Sequence, residues 1–257
     1  MEIAPGVHRI GPTRRGWKLG GYAQCYLIDD GSGDLILVDA AYEHDAHRII
    51  EYLWSIGRTP RDVKDLALTH AHRSHLGGVA AMKRLNPDLR IHIHTWEADI
   101  CGGPRMAQPM PYKPLRPLTI YPMRIGSWIN YDAPIGCEPT HLLTDIDGQT
   151  IGPLEVIQTQ GHTPGSVSFY WRERGVIAVG DAVATWPKLD AGWPGFNLDE
   201  PRYRRSLRKI AELEPKVILT GHGQPVTEDA AAKLKALLQA RSGTGSPAAS
   251  GAGRRGG

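Results

Sequence analysis

The chain has 257 residues, of which 30 are basic (Lys and Arg) and 27 are acidic (Asp and Glu), giving a formal net charge of +3. This length excludes a miniprotein that depends on disulfides for its stability, and it is sufficient for a large hydrophobic core. Hydrophobic residues make up 41% of the chain and charged residues 22%, which is typical of a globular protein and excludes a collagen-like one.

The excess positive charge belongs to the C-terminus. Residues 241–257 contain three arginines and no acidic residue, so residues 1–240 carry 27 basic and 27 acidic groups. The same segment is rich in Gly, Ser and Ala and has no large apolar side chain, which predicts a disordered tail. We therefore expect one folded domain, residues 1–240, that binds no nucleic acid.

Cysteine usage and hydropathy indicate a cellular compartment. Cys25, Cys101 and Cys137 are scattered and odd in number, which argues against a disulfide framework and favours a reducing environment. Charged residues interrupt the first eleven positions, so we expect no signal peptide, and no uncharged apolar stretch reaches the roughly 18 residues that span a bilayer. The prediction is a cytoplasmic protein without a membrane partner.

Predicted strands and helices alternate in the first part of the chain. Hydrophobic patterns predict strands at 22–28 and 35–38, a helix at 43–56, a strand at 65–69, a helix from about 75 to 86 and a strand at 91–93. Such alternation favours an α/β layer architecture.

Residues 98–140 have a different composition, since seven prolines lie between positions 104 and 134. No regular element fits this segment, and a long segment of this kind is typical of a lid or a substrate-binding loop. Further strands are predicted at 154–158, 167–171, 176–179 and 217–220, with helices at 201–213 and 228–240.

Ligand-type residues follow four of the predicted strands. His70, His72 and His75 come directly after the strand at 65–69. His70 and His72 are two positions apart on a loop and can converge on one ion, whereas His75 begins a helix and can face a second ion. Each of three later strands is followed by a ligand-type residue beside a glycine: His162, Asp181 and His222. A single histidine of this kind is best explained as structural, but the joint pattern predicts a metal centre.

The order of these residues resembles the motifs of the metallo-β-lactamase fold superfamily over residues 6–240. The resemblance implies a four-layer αβ/βα sandwich with two neighbouring metal sites at one edge. It also implies that Asp39 supports the metal loop without binding metal. The first site would be formed by His70, His72 and His162. The second would be formed by His75, Asp181 and His222, with Asp181 bridging both.

Ser74 departs from the family's HxHxDH motif, which has Asp at this position. A neutral serine hydroxyl is a poorer ligand for a divalent ion than a carboxylate, so we expect a weaker second site. We expect one or two zinc ions per chain, with iron or manganese as alternatives. Asp181 and Ser74 are the candidate catalytic residues.

The resulting functional hypothesis is a hydrolase that uses a metal-bound hydroxide on a small ester, thioester, lactone or amide. One alternative is a mononuclear iron dioxygenase that acts on a thiol or persulfide through a facial triad of His70, His162 and Asp181. A second alternative is a metal-binding family member without catalytic activity.

Substrate contacts are predicted mainly in the Pro-rich segment, where aromatic and basic residues are combined. The candidates are Tyr112, Lys113, Arg116, Trp128 and, beyond that segment, Trp186. The same aromatic side chains are equally consistent with packing against the domain or with a homo-oligomer interface.

Overall fold

The computed structural model describes residues 1–11, 23–105, 137–186, 188–192 and 196–243; of residues 241–243 it describes the backbone alone. Among the described strands, seven form one sheet in chain order: β1 (Glu2–Ala4), β2 (Val7–Ile10), β3 (Cys25–Asp29), β4 (Leu35–Val38), β5 (Val63–Ala67), β6 (Arg90–His94) and β7 (His141–Leu143). The other five that the structure describes form a second sheet in the order β12-β11-β10-β9-β8: β8 (Thr150–Ile151), β9 (Leu154–Gln158), β10 (Val167–Trp171), β11 (Val176–Gly180) and β12 (Val217–Thr220).

Strand directions bring several strand ends to the same edge of each sheet. The neighbours from β1 to β4 are antiparallel, whereas β4, β5, β6 and β7 are parallel. In the second sheet β8 to β11 are antiparallel neighbours and β11 is parallel to β12, so β9, β11 and β12 share one direction. Loops that follow parallel strands meet at one edge, which is where α/β proteins commonly place their functional residues.

Helices cover the outer face of each sheet. Four lie among the strands of the first sheet: α1 (Ala46–Ser55), α2 (Arg73–Leu76), α3 (Val79–Leu85) and α4 (Thr95–Gly102). The helices α5 (Glu200–Glu212) and α6 (Ala230–Gly243) pack on the second sheet. Short 3-10 helices, Glu43–Asp45 and Pro60–Asp62, precede α1 and β5. None of the helices in the described part of the chain has the length and hydropathy that a membrane span requires.

The alternation of side chains along each strand explains the layers. Successive residues of a strand point to opposite faces, so a strand that is covered on both faces is hydrophobic throughout. In β4, Leu35 and Leu37 pack toward the helices, whereas Ile36 and Val38 face the second sheet. Phe169 and other residues of β10 meet them from the opposite side. The predicted four-layer αβ/βα sandwich is therefore confirmed.

The structure corrects the sequence prediction at several elements. Trp54 follows the apolar spacing of its helix, yet its side chain is 64% exposed because it lies beside the buried face, near the helix end. Leu85 is likewise exposed in the last turn of α3. The helix α4 begins before residue 98 and ends at Gly102, within the segment predicted to lack regular structure. The final helix continues to Gly243, three residues beyond its predicted end at residue 240.

We predict that Phe169→Ala destabilises the protein strongly. Phe169 is 1% exposed between the two sheets, and loss of a buried phenyl ring leaves a cavity that costs about 3–5 kcal/mol. Urea denaturation of both proteins would measure the loss. The matched control is Ile146→Ala, since Ile146 is 69% exposed and should change the free energy of unfolding by less than about 0.5 kcal/mol. Equal effects of the two substitutions would contradict the assigned core.

Candidate metal centre

The predicted ligand residues meet at one edge of the sandwich. His70 and His72 lie in the loop after β5, His162 in the loop after β9, and Asp181 directly after β11. Their ligand atoms lie within 4.8 Å of one another. His222, in the loop after β12, forms a second group with His75 and Asp181 under the same distance limit.

The first group has the spacing of a tetrahedral metal site. The Nδ1 of His72 lies 2.9 Å from the Nε2 of His70 and 3.0 Å from the Nε2 of His162. The Oδ2 of Asp181 lies 3.4 Å from His162 Nε2 and 3.9 Å from His70 Nε2. Four ligands at tetrahedral angles about a zinc ion stand roughly 3.3 Å apart. The four atoms are therefore placed to bind one ion.

The second group uses the other oxygen of Asp181. Its Oδ1 lies 3.3 Å from the Nε2 of His75 and 3.6 Å from the Nε2 of His222. His75 Nε2 and Asp181 Oδ1 are buried, yet neither makes a well-aligned hydrogen bond within the described part of the structure. A cation between them would satisfy both atoms. Asp181 thus connects the two groups, one through each oxygen.

Asp39 orients two of the histidines from behind. One oxygen of its carboxylate accepts a hydrogen bond from the backbone amide of Thr69 at 2.8 Å, and the other lies 2.8 Å from the Nδ1 of His75. The Thr69 hydroxyl bonds the same carboxylate and lies 3.1 Å from the Nδ1 of His70. Because the Nδ1 atoms are occupied, both Nε2 atoms face the centre. Asp39 has the supporting position that the motif implied.

Burial and charge set the protonation of the cluster. Burial lowers the pKa of His70 and His72 well below the usual value and also lowers that of His162, so these imidazoles stay neutral and offer lone pairs. Burial by itself would raise the pKa of Asp181, but the surrounding imidazoles of His222 and His75 hold it well below its ordinary value. The carboxylate is ionised, as a metal ligand must be.

His75 has the opposite electrostatic environment. Burial alone would lower its pKa, but the flanking carboxylates of Asp39 and Asp181 raise it to about 10. The position between these two carboxylates thus favours a positive charge, which a proton or a bound cation can supply.

A glycine and a helix hold the His162 loop in place. Gly161 has a φ of 134°, and a Cβ there would lie 2.3 Å from the backbone nitrogen of Tyr203. The loop can therefore press directly onto α5. Ser206 of α5 donates a hydrogen bond to the carbonyl of Gln160 at 2.7 Å, and the amide of Asp199 donates to the carbonyl of Gly161 at 2.9 Å. These contacts fix the backbone on the N-terminal side of His162.

A second glycine lets the two sheets touch at the centre. Gly180 has a φ of 51°, and a Cβ there would lie 2.6 Å from the hydroxyl oxygen of Thr69. The amide of Val167 in the second sheet donates to the carbonyl of Thr69 at 2.9 Å. Glycine thus precedes both His162 and Asp181 at positions where a positive φ and a close approach of the backbone require it.

Ser74 lies in α2 with 8% of its surface exposed, and its side chain is hydrogen-bonded to Tyr42. Tyr42 follows Asp39 in a loop where Asp39 and Ala41 have positive φ. This loop is bonded to α2, because the amide of Ala40 donates to the carbonyl of His75 at 2.8 Å. A neutral hydroxyl pair therefore occupies the position of the motif's carboxylate. The sequence pattern contains no signal for Tyr42.

Of the remaining predicted site residues, one lies beside this cluster and four lie outside the described residues. Trp186 is 9% exposed, and its backbone packs against the glycine that follows His222. Tyr112, Lys113, Arg116 and Trp128 lie outside the described residues. Glu97, which sequence analysis missed, is a buried acid in the first turn of α4. The local sequence, in which Asp99 follows two positions later, contains no signal that separates Glu97 from an ordinary surface acid.

Comparisons with known proteins agree with this geometry. The sequence model of the Metallo-beta-lactamase superfamily matches residues 19–222. Two Bacillus subtilis proteins described as probable metallo-hydrolases are similar: YflN is 27% identical over 250 residues, covering 88% of this chain and 87% of its own, and YqgX is 26% identical over 212 residues, covering 78% and 80%.

Solved structures share the fold. The metallo-beta-lactamase family protein TTHA1429 from Thermus thermophilus has a TM-score of 0.63 at 22% identity, covering 94% of this chain and 81% of its own. The metallo-beta-lactamase FIM-1 from Pseudomonas aeruginosa has a TM-score of 0.63 at 17% identity, covering 94% of both chains. With the family match spanning most of the sequence and the motif residues meeting at one sheet edge, the chain belongs to the metallo-β-lactamase superfamily.

Proposed function

We propose that this protein is a metal-dependent hydrolase of small esters, thioesters, lactones or amides. The observation that carries the proposal is the convergence of three neutral imidazole nitrogens and one carboxylate oxygen, at mutual distances that match a tetrahedral metal site. The superfamily is metal-dependent, and two relatives are described as probable metallo-hydrolases.

The chemistry requires an activated water and a polarised carbonyl. A divalent ion held by His70, His72, His162 and Asp181 would lower the pKa of a bound water toward neutrality and would polarise the substrate's carbonyl oxygen. Asp181 remains ionised, so it would accept a hydrogen bond from the attacking water and would balance part of the charge of the ion. Because its pKa is lowered, its carboxylate is a weak base and would not retain the proton of the water.

The substrate approaches from the side of His72. His70, His162 and Asp181 are buried, whereas His72 is partly exposed, so the first group opens to solvent beside that imidazole. We place the substrate's carbonyl carbon there. The predicted contacts from the Pro-rich segment, together with Trp186, would determine which acyl group is accepted.

The position of His72 favours the hydrolase over the iron dioxygenase. A facial triad uses two histidines and one carboxylate and leaves the other positions open for oxygen and substrate. Here the Nδ1 of His72 lies within 3.0 Å of the Nε2 atoms of both His70 and His162. We therefore infer a centre in which three imidazoles act together, as in hydrolytic zinc sites.

We predict that His162→Ala abolishes turnover. Loss of one imidazole removes a ligand from the first group. Removing a residue that only hydrogen-bonds to a metal ligand costs up to about 100-fold in activity, so loss of the ligand itself should lower kcat/KM by more than about 100-fold. Hydrolysis of a panel of chromogenic esters, thioesters and lactones measures this, and circular dichroism checks that the fold is retained. His72→Ala should behave in the same way.

His141→Ala is the matched control for these substitutions. His141 is an exposed histidine at the start of β7 and belongs to neither ligand group, so activity should stay within about twofold of the parent. Retention of full activity by His162→Ala, with no bound metal, would refute the hydrolase proposal.

Metal content separates the proposed hydrolase from its alternatives. We expect elemental analysis of protein purified without added metal to find zinc, with at least one ion per chain. Removal of the ion by a chelator should abolish hydrolysis, and zinc should restore it. Iron together with oxygen consumption on a thiol substrate would instead support the dioxygenase, and a protein that purifies with no metal and binds none would support a non-catalytic role.

We predict that Ser74→Asp raises the metal content at the second group. A carboxylate at position 74 would add a charged ligand beside His75, Asp181 and His222, and it could accept the hydrogen bond of Tyr42. Ser74→Asn has the shape of aspartate without its charge and should leave the stoichiometry unchanged. The measurement is metal bound per chain at fixed free zinc. Two ions per chain in parent and variants alike would show that Ser74 does not limit this site.

A further inference from the structure

The inference concerns Glu97, a residue outside both ligand groups. It lies in the first turn of α4, and it is 1% exposed although it carries a carboxyl group. Burial raises the pKa of this carboxyl, opposed by hydrogen bonds from Thr163, Gly165 and Ala71. Burying a carboxyl group costs free energy, and an apolar side chain could fill the same volume without that cost. Unlike an apolar side chain, the carboxyl group can accept hydrogen bonds from several donors at fixed positions.

The donors to Glu97 come from the two loops that carry the imidazoles of the first group. Oε2 accepts from the backbone amide of Ala71 at 3.3 Å. Oε1 accepts from the hydroxyl of Thr163 at 2.5 Å and from the backbone amide of Gly165 at 3.1 Å. Ala71 lies between His70 and His72, and Thr163 follows His162, so each imidazole is one residue away from a bond to this carboxyl group.

The loop after β9 is shaped to reach Glu97. A Cβ at Gly165 would lie 2.6 Å from the Cγ of Glu97, so only glycine lets the backbone come close enough to donate its amide. Thr163 is fixed as well, because its amide donates to the hydroxyl of Ser166 at 3.0 Å and its own hydroxyl lies 2.7 Å from the same oxygen. The contact is therefore part of a closed set of hydrogen bonds.

We propose that Glu97 is a positioning residue that joins the loop of His70 and His72 to the loop of His162 and thereby sets the geometry of the first metal site. The two loops follow strands of different sheets, β5 and β9. The other described connection here is the hydrogen bond from the Val167 amide to the Thr69 carbonyl, which precedes His70 and does not reach the backbone between His70 and His72 or that beside His162. This proposal rests on the proposed metal-dependent function.

The test measures metal binding directly, with zinc and cobalt(II) alone as probes. Apo forms of the parent, Glu97→Ala and Glu97→Gln are titrated with zinc in competition with a chromophoric chelator, and the visible absorption of the cobalt(II) forms reports coordination geometry. We expect Glu97→Ala to weaken zinc binding by about 10- to 100-fold and to change the cobalt spectrum. Glu97→Gln should restore part of the affinity.

The glutamine variant keeps the proposal falsifiable if the alanine variant does not fold. Glutamine has the same shape, but its amide nitrogen must face a backbone amide of either Ala71 or Gly165, so at least one link is lost. We expect zinc binding about tenfold weaker than in the parent, which is the smallest loss usually caused by removing a residue that supports metal ligands through hydrogen bonds. Parent affinity together with a parent cobalt spectrum in Glu97→Gln would overturn the proposal.

Asp65→Asn is the matched control. Asp65 is also a buried carboxylate with several side-chain donors, two nitrogens of Arg90 at 2.7 Å and the Nε2 of His92 at 2.6 Å, but it touches neither ligand loop. Its loss should lower the unfolding temperature and leave zinc affinity and the cobalt spectrum unchanged. Weakening by Asp65→Asn equal to that by Glu97→Ala would assign the effect to general destabilisation and overturn the proposal. A parent protein that binds neither ion would instead overturn the proposed function itself.

Discussion

The structure depends most on one buried anion, Asp181, whose two oxygens are shared by four imidazoles. Asp181 is 7% exposed, and an ionised carboxylate in such a position is unfavourable unless positive or polar groups surround it closely. Its two oxygens face two groups of histidines, at 3.3 to 3.9 Å, and no lysine or arginine pairs with it among the described residues. The imidazoles of His70, His72 and His162 stay neutral, so the balancing positive charge must come from a proton on His75 or from a bound cation.

This requirement explains why the surrounding loops are held so firmly. The ligands come from loops of both sheets, and each loop has its own support behind the centre. Asp39 fixes the strand end that leads to His70, α5 presses on Gly161, and Glu97 spans the gap between the loops. Few of these contacts involve the ligand nitrogens themselves. The histidines and Asp181 keep their positions because several independent hydrogen bonds, made by residues that are not ligands, fix the backbone of the loops that carry them.

The sequence predicted the elements whose signals are local. The strands 154–158, 167–171 and 217–220 coincide with β9, β10 and β12 because each is a hydrophobic run bounded by turn residues. The ligand set was also predictable, since each ligand follows a strand. Tyr42 and Glu97 were not predictable, because their roles depend on which loops the two sheets bring together. The short β7 and the helix α4 escaped prediction because the proline-rich composition beside them obscures the local pattern.

Charge balance connects Ser74 to the number of ions. The carboxylates in direct contact with these imidazoles are Asp181 and Asp39, so with every histidine deprotonated, as metal binding requires, the two groups carry a formal charge of about −2 in the described structure. One divalent ion neutralises it, whereas a second ion would leave two positive charges in a buried site, where uncompensated charge is costly. A carboxylate at position 74 would offset part of that excess. The hydroxyls of Ser74 and Tyr42 contribute dipoles without net charge, so we propose that this chain holds one ion tightly and a second ion more weakly.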